Sequence, residues 1–306
     1  MYFFYIFIFI SISVHTAYAE FNTTALDKYH DDLCYWLVDT SNSIDNYLIE
    51  SNSTTSSDTF AELKTSFAIE NTRASEYAIR LRLRLNLPKF QKKLRVVFED
   101  EASDDALYDG TVLNSDYHLE DKNYFLRLEY FNYMVKQLNI TSGGGIRFRK
   151  SSLHPYLNVK AKYKLFSSER EKLMMANRFR YYINGDIEDI LSLNRLYTLN
   201  ETLYYRFKNT LRYRDWESSK KIVNSVSLLK VLGTGVQASL GLALMSEWED
   251  RSIEARYYQL YGTYRNLLYK DWIYYEFSPA LLRREENNFN NSYRFMVNIG
   301  MIFKKD

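Results

Sequence analysis

Seven consecutive residues, Ile79, Arg80, Leu81, Arg82, Leu83, Arg84 and Leu85, alternate apolar and cationic without a break. Successive side chains of a strand point to opposite faces. This segment therefore predicts a strand with one face in an apolar medium and the other in a polar one. Leu157 to Leu165 (LNVKAKYKL) repeats the pattern. So do Leu203 to Lys208 (LYYRFK) and Leu211 to Arg214 (LRYR). A soluble sandwich also alternates, but these runs approach the ~9–11 residues with which a tilted strand crosses a bilayer. They follow one another as hairpins from residue 60 onward, and the chain closes on one more, Tyr293 to Phe303. A closed barrel has no sheet edge, so its last strand must pair with its first.

The expected fold is all-β: a transmembrane antiparallel up-and-down barrel of about 14 strands. The strands are expected at 60–70, 75–87, 91–100, 123–137, 142–150, 155–166, 171–184, 189–200, 202–214, 219–232, 235–247, 253–267, 271–284 and 292–304. Arg195 and Lys230 break the alternation in two of these, and without those two strands the number falls to 12. An even number puts both barrel ends on the periplasmic side. Short turns are then expected there, around Pro88 and at 138–142, 167–170, 200–202, 233–234 and 268–271. The long segment 101–122 and the polar segment 285–291 fall on the outer side. Composition fits: Pro is only 3, while Tyr reaches 28 and Phe 19, suited to strands and to aromatic interface girdles. A mean hydropathy of −0.40 is compatible with a barrel, in which only alternate residues meet lipid.

Residues 1–19 read as an export signal, with an uncharged apolar run from Tyr2 to Val14 and Ala17-Tyr18-Ala19 as the cleavage site. Residues 20–58 then hold one helical stretch and a polar linker, and 59–306 the barrel. Within 25–50, Leu26, Tyr29, Leu33, Trp36, Leu37, Ile44, Tyr47 and Leu48 recur at helical spacing, with Asp27, Asp31, Asp32, Asp39 and Asp45 mostly on the other side. The helix is expected to pack on or into the periplasmic mouth; docking of a periplasmic partner is the sharper reading. Cys34 is the single cysteine, which excludes an internal disulfide framework and favours a buried thiol.

Other segments resemble an uncharacterised family of outer-membrane β-barrel proteins from proteobacteria. They are the acidic helix near Trp36, RLRLRLNLPKFQKKLRVVFED at 80–100, GGGIRFR at 143–149 with HPYLNVKAKYK at 154–164, and YKDWIYYEFSPAL at 269–281. The resemblance implies a barrel exported to a bacterial outer membrane. It implies no activity and no functional residue. Such barrels commonly end on an aromatic recognised by the assembly machinery, whereas here Phe303 precedes Lys304-Lys305-Asp306.

By alternation, Arg80, Arg82, Arg84, Arg95, Arg147, Arg149, Lys160, Lys162, Lys164, Arg206, Lys208, Arg212 and Arg214 should line the lumen. Facing lipid, each would cost ~2–4 kcal/mol near the midplane. The acids expected among them are fewer: Glu76, Glu99, Glu129 and Glu276. One reading is an anion-favouring pore. The other is a packed interior in which cations pair with these acids, with tyrosines and with the acidic helix, leaving a structural or interaction barrel. Trp216 and Trp248 are expected at the outer interface, Tyr269 and Trp272 at the inner one.

Little points to catalysis. His118 stands among aspartates of the 101–122 segment, and His154 near Ser151 and Ser152, without an orienting third group. A surface hydrolase is the weakest of the three readings. Gly143-Gly144-Gly145 lacks the Lys-Ser/Thr and helix of a phosphate loop, and suits a tight turn or bulge. A net charge of +2 gives no reason to expect nucleic acid. No cofactor or metal is expected. The expected partners are outer-membrane lipid and lipopolysaccharide and the assembly machinery, with the barrel itself a monomer.

Overall fold

The computed structural model describes residues 23–49, 59–87, 94–100, 123–149, 152–217, 220–249 and 251–304. The export signal, the linker 50–58, the segments around Pro88 and at 101–122, and with it His118, lie outside them. Among the described residues one α-helix, α1 (Thr23–Ile49), precedes fourteen strands. These are β1 (Phe60–Glu70), β2 (Arg73–Leu87), β3 (Leu94–Asp100), β4 (Tyr124–Val135), β5 (Leu138–Arg149), β6 (Ser152–Ser167) and β7 (Glu171–Tyr182). They continue as β8 (Ile187–Asn200), β9 (Leu203–Arg214), β10 (Lys220–Gly233), β11 (Val236–Glu249), β12 (Ser252–Tyr269), β13 (Ile273–Arg284) and β14 (Asn291–Lys304). Each pairs antiparallel with its sequence neighbours, and β14 closes on β1 with Phe60 opposite Lys304. The chain is a transmembrane antiparallel up-and-down β-barrel.

Register sorts the side chains into two sets. Leu63, Phe67, Ile69, Tyr77, Ile79, Leu81, Leu240, Leu242, Tyr258 and Leu260 are exposed and form an apolar outer belt. Their neighbours in sequence turn inward. The assignment is fixed by contacts between strands that are not adjacent: the Arg180 guanidinium on β7 lies 4.2 Å from the Phe125 ring on β4. Only the interior joins those positions.

The two strands in doubt belong to the barrel. Arg195 and Lys230 do point outward, but at the end of the barrel where β1 begins and β14 stops, here called the near end. Arg195 is half exposed and paired with Glu171 at 2.7 Å. At a rim a long cationic side chain reaches water, so it does not forbid the strand. The number is therefore fourteen.

One turn is displaced. The connection expected at 138–142 is a two-residue turn at Lys136-Gln137, with Lys136 at φ 48°, and Leu138 already opens β5. The glycines thus sit inside β5 rather than at its start. β4 carries a bulge between Glu129 and Phe131, opposite Ser142 and Gly143. A Cβ on Gly143 would lie 2.0 Å from the Leu128 carbonyl oxygen, and backbone cannot yield as a side chain can. Gly143→Ala is expected to destabilise the barrel by ~1–3 kcal/mol, read as a lower urea midpoint. An unchanged midpoint would mean that no such close approach exists.

Helix α1 does not enter the barrel. It follows the near rim from β12 to β2. Tyr269 donates to Asp27 at 3.0 Å, and Lys270 pairs with Asp27 at 2.8 Å. The hydrogen bond from Lys270 holds the Asp27 carboxyl below its usual range. His30 stacks on Trp272 (4.2 Å) and Phe303 (5.6 Å). Buried Cys34 approaches the Lys304 carbonyl at 3.6 Å, and Ser41 donates to the Asn86 carbonyl at 2.6 Å. Tyr269, Ile273, Phe303, Ala61, Leu85 and Leu87 belong to the outward-facing set, and Ile273, Ala61, Leu85 and Leu87 are nonetheless buried. The helix therefore covers the outside of the rim. Its described acids meet Lys270, His30 or solvent rather than the arginines of the interior, while the Asp45 side chain lies outside the described residues. The expected apolar stripe is also split, since Leu37 is buried while Tyr29, Leu33 and Trp36 are exposed.

Candidate functional site in the barrel interior

Register places all thirteen basic residues expected in the lumen on the inward face. Arg147, Lys160, Lys208, Arg212 and Arg214 are buried there; Arg80, Arg82, Arg84, Arg95 and Lys162 are half-buried; Arg149, Lys164 and Arg206 are exposed. Glu76, Glu99, Glu129 and Glu276 share that face. The sequence reading missed Arg127, Arg178, Arg180, Arg265, Arg284 and Arg294, and the acids Glu62, Glu70 and Glu188. Arg178 and Arg180 sit in NRFRYY and Glu188 in IEDILSL, where the same period-two rule applies over a shorter stretch.

The far part of the interior carries a dense, dry layer. Glu188 is completely buried and takes hydrogen bonds from Arg178 and Arg180, both at 2.9 Å, and from Arg214 at 2.7 Å. Arg180 and Arg214 stand directly opposite Glu188 on the flanking strands β7 and β9, so register alone brings the three together. Above them Trp216, in the β9–β10 connection, turns inward. It meets Tyr182 edge-on at 5.6 Å and receives Arg147 from β5 at 5.9 Å. Trp216 is thus not part of an outer girdle. Phe125, Tyr156 and Tyr182 complete this aromatic layer, which excludes water from the arginines.

Two further networks lie toward the same end. Arg127 joins Glu99 (2.6 Å) and Glu129 (2.9 Å), with Lys160 at 3.7 Å from Glu129. Glu70 is held by Arg284, Ser292 and Arg294, and Arg294 also reaches Glu76 at 3.0 Å. Beside them Ile190, Val223, Ala243, Met245 and Tyr257 form an apolar inner cluster.

The near half differs. Arg84, Arg95, Lys162, Lys164, Arg206 and Arg265 turn inward there, and the described acids on or bordering that part of the face are Glu62, Glu276 and Glu129, which stands directly opposite Arg95. Glu62 accepts from Tyr274 at 2.5 Å, and Glu276 from Asn298 at 2.9 Å. Like charges sharing a low-dielectric wall raise the local potential for an anion. The geometry is a cationic vestibule at the near end beneath a densely packed, charge-paired far half.

Of the four girdle residues, Trp248 is exposed and outward at the far end, beneath Lys220 at 4.6 Å. Tyr269 and Trp272 stand at the near rim, both engaged by α1. His154 faces inward opposite Arg147, and no hydrogen bond joins it to Ser152 among the described residues. Among the described residues no group of three or more His, Cys, Asp or Glu side chains could hold a metal ion.

The fold and this interior define a class: closed transmembrane barrels with a charged, partly filled lumen. No protein-family model and no curated protein matches the chain. Solved structures do. A high-pH structure of OprB from Pseudomonas putida is similar at TM-score 0.50 and 9% identity, over 81% of this chain and 94% of that one. A loop L8 deletion mutant of OmpT, an outer membrane protein of Vibrio cholerae, is similar at TM-score 0.48 and 8% identity, over 81% and 99%. At such identity the likeness concerns the fold.

Proposed function

We propose that the chain is an integral barrel of a bacterial outer membrane, with its near end toward the periplasm, and that it passes small anions through a narrow lumen. The observation that carries this reading is the near-half vestibule, where inward cations outnumber carboxylates and Lys164 and Arg206 stay open to water. The location is supported by the apolar outer belt and by the likeness in fold to outer-membrane barrels. Charged linings set ion preference in such channels. The layer of Glu188, Arg178, Arg180 and Trp216 is the constriction. A sealed structural or interaction barrel is the second reading, favoured by the complete burial of Arg178, Arg180 and Glu188.

Planar-bilayer recordings separate the two. The protein is expected to give small, infrequent, anion-preferring openings. Trp216→Ala is expected to enlarge them several-fold, and Lys164→Glu with Arg206→Glu to reduce the anion preference. Silence from both the native protein and Trp216→Ala, each correctly folded, would leave the sealed barrel.

A further inference from the structure

We propose that α1 is an in-plane membrane helix, seated on the barrel's outer rim with one stripe in the lipid of the near-side leaflet. The inference rests on the outer-membrane reading above. Its first support is direction. Contacts run in order from Asp27 at β12, through His30 and Cys34 at β14, to Ser41 at β1 and β2. The helix axis therefore follows the rim over roughly 21 Å, at 1.5 Å per residue. Running along the rim, it lies parallel to the membrane plane.

The second support is how the helix surface divides, at about 100° per residue. His30, Cys34, Leu37 and Ser41 share the side that touches the barrel. Turning one way from that side brings Leu33, Tyr29 and Trp36, which are 45%, 69% and 60% exposed. Turning the other way brings Asp31, Tyr35 and Lys28, then Asp39 and Asp32, all exposed, so that this side is charged apart from one tyrosine, whose hydroxyl suits it to water. A helix over a water-filled mouth needs no apolar sector between barrel and solvent. A helix at the junction of barrel, lipid and water needs these three sectors in this order. The barrel's own apolar belt reaches this end, where Leu268 and Ile299 are exposed. Tyr and Trp are also the side chains suited to the headgroup level, with an apolar body and a polar tip. The occupant is thus phospholipid, held by apolar contact, because the helix's acids point away from it.

Spin labelling of the full chain in phosphatidylcholine vesicles tests this. Cysteine is placed at Leu33→Cys, Trp36→Cys, Asp32→Cys or Asp39→Cys in a Cys34→Ser background, with Leu242→Cys marking the barrel belt. Power saturation then compares collisions with oxygen, which concentrates in lipid, and with a water-soluble nickel chelate. Labels at 33 and 36 are expected to be oxygen-rich and shielded from nickel, like 242, while 32 and 39 collide freely with nickel. Nickel access at 33 and 36 with 242 still shielded would overturn the proposal and leave a water-facing stripe for a protein partner. Nickel access at 242 as well would instead overturn the outer-membrane reading, and this proposal with it.

Discussion

Glu188→Ala lowers the stability of the folded barrel by ~3–5 kcal/mol, the expected cost of removing one partner from a buried ion network. Three guanidinium groups converge on this carboxylate, and neither Arg178, Arg180 nor Glu188 retains contact with water. Without it, three cations in a dry layer repel one another and lose their strongest acceptor. Arg214 keeps Glu217 at 3.1 Å, and Arg180 keeps the rings of Phe125 and Tyr156, which offsets part of the loss. Glu188→Gln retains an acceptor oxygen and should fall between the native protein and alanine. Equilibrium unfolding in urea, followed by tryptophan fluorescence, reads the change; Trp216 lies within this layer and reports on it directly. A loss below ~0.5 kcal/mol for Glu188→Ala, the range of an ordinary surface substitution, would show that the layer is open to water.

Leu242→Arg tests the opposite face. Leu242 stands near the middle of β11, is 56% exposed, and belongs to the outward set. An arginine there should cost ~2–4 kcal/mol in a bilayer, while Leu232→Arg, at the near end of β10, should cost ~0–1 kcal/mol because its side chain reaches the interface. Urea titration of folding into lipid vesicles measures both. Equal cost at the two depths would contradict an apolar slab around the barrel.

The fold was legible in the sequence because its rule is local. A strand between lipid and an aqueous or charged interior must alternate, so each run from Phe60 to Phe303 declares its two faces without reference to any other. The same rule assigned Arg82, Lys160 and Arg214 to the interior, since no alternative face could hold them. It faltered where the medium changes along a strand, since Arg195 and Lys230 look wrong for a wall residue and are right for a rim residue, and on shorter stretches such as those of Arg178, Arg180 and Glu188.

What the sequence could not contain was pairing. Alternation says that Glu188 faces inward; only closure of β7, β8 and β9 in one register sets it against three arginines. Composition says that cations exceed acids on the inner face. Only the fold reveals that Glu70, Glu76, Glu99 and Glu188 gather toward the far end and leave the near end positive. Helical spacing marked an apolar stripe on α1 but not what would cover it. The side of the rim on which the helix came to rest decided that Leu37 is buried while Tyr29, Leu33 and Trp36 are left to meet something else. Periodicity is a property of neighbours along the chain and reads directly from it. Charge partners and helix docking belong to residues far apart in the chain, 272 positions in the case of His30 and Ile302, and the closed sheet alone brings those together.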